Sequence, residues 1–498
     1  MMSVKKIRKI LIANRGEIAL RIHRSAAEMG IQTVAIFSDA DRRAPHVLHA
    51  NEAYPLNGNS SNETYLDINK IITIALESRC DAIHPGYGFL SENANFVDAT
   101  VSAGLIFIGP SSSAMRSMGG KTGARDLMAK ANVPIVPGTT HPLKDIAEAV
   151  QVAKSIGYPI LIKAVHGGGG KGMRRVDDEA RLEQSFKQAK SESMSSFGSE
   201  SVFIEKFLEN PRHIEIQILA DMHGNVIYLG ERECSVQRRH QKVVEECPSS
   251  VLTPDIRKKM GEAAVNAAKK CGYVNAGTVE FLLDSDKSFY FLEMNTRLQV
   301  EHPVTEMVYG IDLVKAQIRI AQGEKLALTQ QEVTPRGHAI ECRIYAEDTL
   351  SGFLPSTGTI QEYVPSEGHG IRHDSGIMRG SAILHYYDPL LSKLVAWGRD
   401  RSEAIQKMKR ALAEFKISGV STTIPFCSFV MSHAKFIEGE YDIHFVEKYY
   451  HARNLLGSEE EELVASLAAA SAHTWDGGNE IRSTEHTARN WKNERFDE

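Results

Sequence analysis

Lys9-Ile-Leu-Ile-Ala13, Asn14-Arg-Gly16, then Ile18, Ala19, Ile22 and Ala26 at helical spacing up to Gly30, then Thr33-Val-Ala-Ile-Phe37: these residues decide the fold at the start of the chain. An apolar strand, a turn, an amphipathic helix stopped by glycine and a second apolar strand make a βαβ unit. Such a unit implies a parallel sheet with helices on its faces. The turn holds one glycine and no GxGxxG, so a Rossmann dinucleotide site is a weak reading. A later strand, Ala82-Ile-His84, runs into Pro85-Gly-Tyr-Gly-Phe-Leu-Ser-Glu-Asn93. Glycine-rich segments at the C-terminal ends of strands are where open α/β sheets bind ligands, and a tight structural turn accounts for the same residues equally well.

Outward from this unit, the 498 residues carry 58 Lys+Arg against 63 Asp+Glu, a formal charge of -5, with 42% hydrophobic and 24% charged residues. This is the mixture of a soluble globular protein, and the length leads us to expect about three domains. No excess of cations exists to neutralise phosphates, so a nucleic-acid partner is set aside. No apolar run approaches the roughly 18 residues of a membrane span. The basic start (Lys5, Lys6, Arg8, Lys9) leads only into a short strand-like run, which argues against a signal peptide. Six scattered cysteines (Cys80, Cys234, Cys247, Cys271, Cys342, Cys427) include no CxxC, which favours reduced thiols and a cytoplasmic setting over a zinc site. The charge is uneven: residues 458–498 hold ten acids against four bases, a net of -6, leaving +1 for the rest of the chain.

Near Met118-Gly-Gly-Lys121 the pattern changes, and Val133-Pro-Ile-Val-Pro137 reads as a linker. Tyr158-Pro-Ile-Leu-Ile-Lys163-Ala164 is a strand entering His166-Gly-Gly-Gly-Gly-Lys-Gly172. Four consecutive glycines leave backbone N–H groups free to converge on an anion. The loop does not fit GxxxxGK[ST]. Lys163 before it and Lys171 within it favour phosphate binding over a bare linker.

Two apolar runs flank a polar turn in Gly277-Thr-Val-Glu280-Phe-Leu-Leu-Asp284-Ser-Asp-Lys-Ser288-Phe-Tyr-Phe-Leu-Glu293-Met-Asn295, the pattern of a β-hairpin. With the turn centred between Asp286 and Lys287, Glu280 faces Glu293, Thr278 faces Asn295 and Leu282 faces Phe291. Glu280, Glu293 and Asn295 then emerge on one side. Opposed carboxylates with Cβ atoms about 5 Å apart repel, and a hard divalent cation such as Mg²⁺ answers that repulsion. A solvated hairpin face is the plainer alternative, but no base alternates with the acids. The polar run Asn295-Thr-Arg297-Leu-Gln299-Val-Glu301-His302-Pro303 follows, and Arg238-Arg239-His240-Gln241-Lys242 lies upstream. Four bases within five residues point to a bound phosphate or small carboxylate-like anion.

Taken together, these residues resemble the biotin carboxylase family, ATP-grasp enzymes of biotin-dependent carboxylases. The resemblance rests on Ile12 to Ala19, His84 to Asn93, Gly167 to Met173, Glu205-Lys-Phe-Leu-Glu-Asn-Pro-Arg-His213, Arg238 to Glu246, Glu293 to Glu306, Glu341-Cys-Arg343 and Phe353-Leu-Pro355. These motifs span roughly residues 7 to 450. The resemblance implies α/β and α+β parts: an N-terminal parallel α/β domain (1–118), an ATP-grasp domain with a glycine-rich lid (119–337), a C-terminal biotin carboxylase domain (338–452) and an acidic tail (453–498). Lys121 and Lys163 match ATP-binding lysines, and Gly169 and Gly170 the lid over the phosphates. Glu205, Lys206 and Leu208 match the adenine-receiving segment, and His213, Gln237 and His240 further nucleotide contacts. Glu280, Glu293 and Asn295 match metal ligands for Mg²⁺ or Mn²⁺. Lys242, Arg297, Gln299 and Val300 match the bicarbonate pocket, Glu301 the base, and Arg343 the residue beside the biotin ureido oxygen.

Two departures stand out: Lys171 where the family often has Arg, and Thr423 where it usually shows Asn, neither expected to touch the catalytic set. No Ala/Val-Met-Lys-Met biotin-attachment site is found. The resemblance therefore implies biotin on a separate biotin carboxyl carrier protein, a homodimer and, as a further partner, a carboxyltransferase subunit. The tail reads as a solvated helix or as a docking segment. Two competing readings are a different ATP-grasp carboxylate–amine ligase, which leaves Arg238–Lys242 and Arg343 without a task, and a noncatalytic nucleotide-binding protein.

Overall fold

The computed structural model describes residues 5–165 and 172–451, together with Leu467. The lid glycines Gly169 and Gly170, Lys171 and the acidic tail apart from Leu467 lie outside the described residues.

The N-terminal strands pair in parallel as the βαβ reading requires. Their order across the sheet is Glu52–Pro55, Gln32–Phe37, Lys9–Ile12, Ala82–His84, Ile106–Phe107. The order turns back beside Lys9–Ile12, so the loops leaving that strand and Ala82–His84 flank a topological switch point, where such sheets bind ligands. Asn14 Nδ2 ties the two loops by donating to Pro85 O and Tyr87 O, 2.7 Å each. Gly86, at φ +65°, lets them close: a Cβ there would lie 2.9 Å from Asn14 Nδ2. Asn93 ends the glycine-rich segment by capping helix Ala94–Ser102, accepting from the N–H groups of Asn95 and Phe96. Glu92 is thereby held at the sheet's C-terminal edge.

A second, three-stranded antiparallel sheet (Met173–Val176, Ile160–Ala164, Val202–Lys206) has its own apolar core against helices Ile146–Ile156 and Leu182–Phe197. The third sheet has eight antiparallel strands: Phe289–Asn295, Asn275–Leu283, Arg212–Ala220, Val226–Arg238, Gln241–Cys247, His338–Tyr345, Leu390–Gly398 and Ile371–Ser375. It continues without a break across residue 338, because Gln241–Cys247 pairs with His338–Tyr345. One core packs Val236, Val244, Cys342 and Leu394 of this sheet against helices Arg401–Glu414 and Ile424–Ser432. Another packs Ile214, Ile216, Val279 and Phe281 against helix Pro254–Lys270. All six cysteines are free thiols.

The hairpin carries one correction. Glu280 pairs with Glu293 and Thr278 with Asn295 as expected, but Phe291 pairs with Phe281, and Leu282 with Tyr290. The turn is a three-residue loop closed by Asp284 N to Ser288 O at 2.8 Å, with Lys287 left-handed at φ 71°. That shifts the register by one, and a bulge between Phe291 and Glu293 shifts it back before the acids.

Candidate active site

A cavity of about 1090 Å³ is bordered by all three sheets. It is lined by the loop after Lys9–Ile12, by Lys163 and Glu205 of the three-stranded sheet, and by the polar faces of six adjacent strands of the large sheet. In Arg212–Ala220, His213, Glu215 and Gln217 alternate with Ile214, Ile216 and Ile218. Such alternation ordinarily marks one solvated face. Here both faces are buried, so the polar face must find partners inside.

Lys242 finds three. Its Nζ lies 2.5 Å from Glu215 Oε2, 2.8 Å from Glu280 Oε1 and 2.8 Å from Glu301 Oε1. Burial would lower this ammonium, but the three carboxylates hold it well above the usual lysine value. Glu215 is braced from behind by Arg232, fully buried, which also donates to Gln217 and Thr305 at 2.8 and 2.9 Å. Glu280 Oε1 also accepts from Asn295 Nδ2 (2.8 Å) and Gln299 Nε2 (3.0 Å), and His213 Nε2 lies 2.9 Å from Oε2. Burial opposes ionisation of Glu280, yet Lys242 and His213 pull it well below the usual carboxylate range.

Glu293, directly across the hairpin, differs. It is exposed to the cavity, and no hydrogen bond or ion pair reaches it among the described residues. Enclosure by the walls and the Glu280 charge raise its pKa. Two opposed carboxylates, one with no ion pair among the described residues, beside the Asn295 amide oxygen form a hard oxygen donor set that fits Mg²⁺.

Glu301 stands at the N-cap position of helix His302–Tyr309 but makes no cap bond with its side chain; one oxygen accepts from Lys242 instead. Its other oxygen accepts from Arg343 Nη2 at 2.8 Å. Burial works against the charge, but Lys242, Arg343 and Arg232 hold Glu301 well below the usual range, so it is ionised at neutral pH. Glu245 accepts from Arg343 Nε at 2.6 Å, and Tyr345 Oη lies 3.3 Å from Nη1. Arg297 donates to Glu92 (2.8 Å), Gln299 Oε1 (2.7 Å) and Asn295 Oδ1 (3.1 Å). Val300 lines the cavity and its carbonyl accepts from Lys393 at 2.9 Å.

At the other end, Lys163 pairs with Glu205 at 2.5 Å, and Arg125 approaches the second Glu205 oxygen at 3.2 Å. Lys121 has no hydrogen bond or ion pair among the described residues, and burial together with the Lys163 charge lowers its pKa. A cation crowded by another cation is a ready partner for phosphate. Leu208, Gln237 and His240 line the cavity, and Gln237 Nε2 lies 3.0 Å from His213 Nδ1. Lys206 lines it too, but its ammonium donates to the Gly157 and Tyr158 carbonyls.

The basic run does not act as one cluster. Its hairpin turn places Arg239 and His240 in left-handed backbone at φ 48° and 67°. Arg238 is drawn away to Glu347 (2.7 Å) and over the Phe353 ring, so only its neighbours line the cavity. Thr423 also departs from expectation: its hydroxyl donates to Arg343 O and accepts from Tyr345 N, 2.9 Å each. It therefore touches the strand that carries Arg343. Glu92, Glu215, Arg232 and Glu245 belong to the site although no sequence pattern assigns them to it. Glu92 and Glu245 sit inside the family motifs, and the polar alternation of 213–217 is the available signal for Glu215.

Phosphate-ready lysines, opposed carboxylates and an oxyanion-ready arginine, set between an α/β sheet and a large antiparallel sheet, define an ATP-dependent ligase of the ATP-grasp class. Family models match the chain as the biotin carboxylase N-terminal domain (residues 6–115), the carbamoyl-phosphate synthase L chain ATP binding domain (120–329) and the biotin carboxylase C-terminal domain (341–448). The chain is 53% identical over 443 residues to a biotin carboxylase of Nostoc sp., covering 89% of this chain and 99% of that one. It is 50% identical over 444 residues to a biotin carboxylase of Bacillus subtilis, again covering 89% and 99%. Among solved structures, the Campylobacter jejuni biotin carboxylase–β,γ-ATP complex superposes with a TM-score of 0.86 at 46% identity, covering 89% and 99%. The biotin carboxylase domain dimer of Hydrogenobacter thermophilus 2-oxoglutarate carboxylase, solved with MgADP, ADP and bicarbonate, gives 0.85 at 46% identity, covering 91% and 100%. The chain belongs to the biotin carboxylase family. It is an ATP-dependent ligase that carboxylates biotin. Among the described residues no helix is long and apolar enough to cross a membrane.

Proposed function

We propose that this chain uses MgATP and bicarbonate to make carboxyphosphate, and carboxylates biotin presented by a biotin carboxyl carrier protein. One observation carries the reading: Glu280, Lys242, Glu301 and Arg343 form an unbroken chain of charge pairs, each link 2.8 Å, from the acid pair to the arginine assigned to biotin. Lys121 and Lys163 take the phosphates. Glu205, Lys206, Leu208, His213, Gln237 and His240 take the rest of the nucleotide, with Gly169 and Gly170 as the lid. Glu280, Glu293 and Asn295 hold Mg²⁺ or Mn²⁺, which supplies positive charge to the triphosphate. Arg297, with Lys242, Gln299 and the Val300 backbone, receives bicarbonate, because the guanidinium fork matches a planar oxyanion.

Glu301, ionised and adjacent, takes the bicarbonate proton. Paired with two cations it is a weak base. Anions entering beside Lys242 and Arg343 draw those cations off it, raising its proton affinity when it is needed. Arg343 then faces the charge that develops on the biotin ureido oxygen. Residues 1–118, 119–337 and 338–452 serve as the three functional parts. A carboxyltransferase partner, a homodimer and a cytoplasmic setting complete the reading. Bicarbonate-dependent ATP hydrolysis stimulated by free biotin is the test, and its absence overturns the assignment. Arg297→Ala and Glu301→Gln should each lower turnover about 100-fold or more while ATP affinity changes little. Near-normal turnover refutes their roles.

A further inference from the structure

Behind Arg343 lies a charge problem that the reaction does not use. Glu245 and Glu341 are direct cross-strand partners on adjacent strands of the large sheet, and each is 0% exposed. Opposed side chains of this kind place their Cβ atoms about 5 Å apart. Glu245 Oε1 accepts from Arg343 Nε, but Glu245 Oε2 and both oxygens of Glu341 have no hydrogen-bond donor among the described residues. Three orphaned carboxylate oxygens in a dry interior need an explanation.

The surrounding cations do not supply one. Arg343, two residues from Glu341 and on the same face, spends Nη2 on Glu301. Lys393, paired across from Arg343, is 2.9 Å from Val300 O and 3.1 Å from Glu17 Oε1. Lys242 is shared among Glu215, Glu280 and Glu301. Tyr345 offers one hydroxyl, 3.3 Å from Arg343 Nη1. Two full charges on Glu245 and Glu341 would therefore be undercompensated, whereas a single proton between them makes an acid–carboxylate hydrogen bond and satisfies two of the three orphans.

We propose that Glu341 is a protonated acid that donates to Glu245, and that this pair is a positioning device keeping one negative charge on the Nε edge of Arg343. The electrostatics agree in direction. Burial pushes Glu341 well up despite Lys393, and burial also pushes Glu245 up to about 7 despite Arg343. With Glu245 on Nε and Glu301 on Nη2, two carboxylates fix the guanidinium plane, and Nη1 is left beside Tyr345 at the cavity wall. Neutral Glu341 orders Glu245 without adding a second charge that would compete for the arginine.

The functional half of this rests on the assignment of Arg343 to the biotin step. Infrared difference spectra of the full chain at pH 7, wild type minus Glu341→Gln, test the proton directly. A protonated-carboxyl C=O band that shifts in D₂O and is absent from the variant is expected, and no such band overturns the proposal. Kinetics test the positioning. Glu341→Gln, which keeps a neutral donor, should hold kcat/KM for free biotin within about threefold of wild type, while Glu341→Ala lowers it about tenfold or more and leaves KM for ATP little changed. Equal losses in the two variants, or losses shared by ATP, overturn it, with thermal melts reporting whether each variant folds. A band present together with full biotin turnover in Arg343→Ala would keep the shared proton and remove the biotin assignment.

Discussion

Glu246 offers the sharpest test of the electrostatic reasoning, because it lies on the strand that carries Lys242 and Glu245 but points into the opposite core. Its carboxylate accepts from His338 Nε2 at 2.8 Å, Arg401 Nε at 2.7 Å and Tyr441 Oη at 2.5 Å, and it is 1% exposed. Burial disfavours its charge, but His338 and Arg401 more than offset this and lower it from 4.5 to about 2. A depressed carboxylate stabilises the fold above its unfolded pKa, and that stability is lost as pH falls toward the folded value. At about 1.4 kcal/mol per tenfold change, the contribution is ~3 kcal/mol at pH 7 and falls to ~1.5 kcal/mol at pH 3. Glu246→Gln removes the charge and leaves Arg401 without its counter-ion, so a loss of about 3–5 kcal/mol is expected near neutrality. Urea unfolding of wild type and variant at several pH values reads the gap. It should be flat from pH 8 to about 5.5 and narrow below about pH 4.5, as the carboxyl of the unfolded chain protonates. A gap under ~1 kcal/mol at pH 7, or one that does not narrow in acid, would refute the assignment of Glu246 as an ionised hub.

Two further outcomes follow from contacts the site depends on. Glu92→Gln weakens the grip on Arg297. Because that pair is part-exposed, KM for bicarbonate should rise only about three- to tenfold, with KM for ATP unchanged in steady-state assays; equal shifts in both would show that Glu92 acts on the whole cavity. Thr423→Val strips a buried acceptor and donor from the Arg343 strand and should cost about 1–3 kcal/mol in thermal unfolding, with Thr423→Ser recovering most of it; a Ser variant as weak as Val would place the cost in packing instead.

What could be read beforehand was local. The βαβ unit follows from apolar periodicity within a few dozen residues, and Glu280 meets Glu293 because a hairpin carries its own pairing. The same hairpin hid its bulge: a left-handed Lys287 and an extra residue at Leu292 cancel, so the acids align while Phe291 does not. Arg238 misled because four adjacent bases look like one patch, yet a tight turn splits them. Glu92 meets Thr296 and Arg297 across 204 and 205 residues, a distance no short pattern spans. Glu215 was illegible for another reason. Polar residues alternating with apolar ones look like a wet sheet face until a third layer covers it.

The large sheet also bears on how the chain can be cut. Family models end at 329 and resume at 341, an inviting place for a split between fragments. Yet strands Gln241–Cys247 and His338–Tyr345 are interior neighbours, and separating them would bare two complementary rows of backbone donors and acceptors. Fragments divided there would carry raw edges that either rejoin each other or capture strangers. Complementation in a split enzyme, and clumping in an isolated half, are thus two faces of the same ladder.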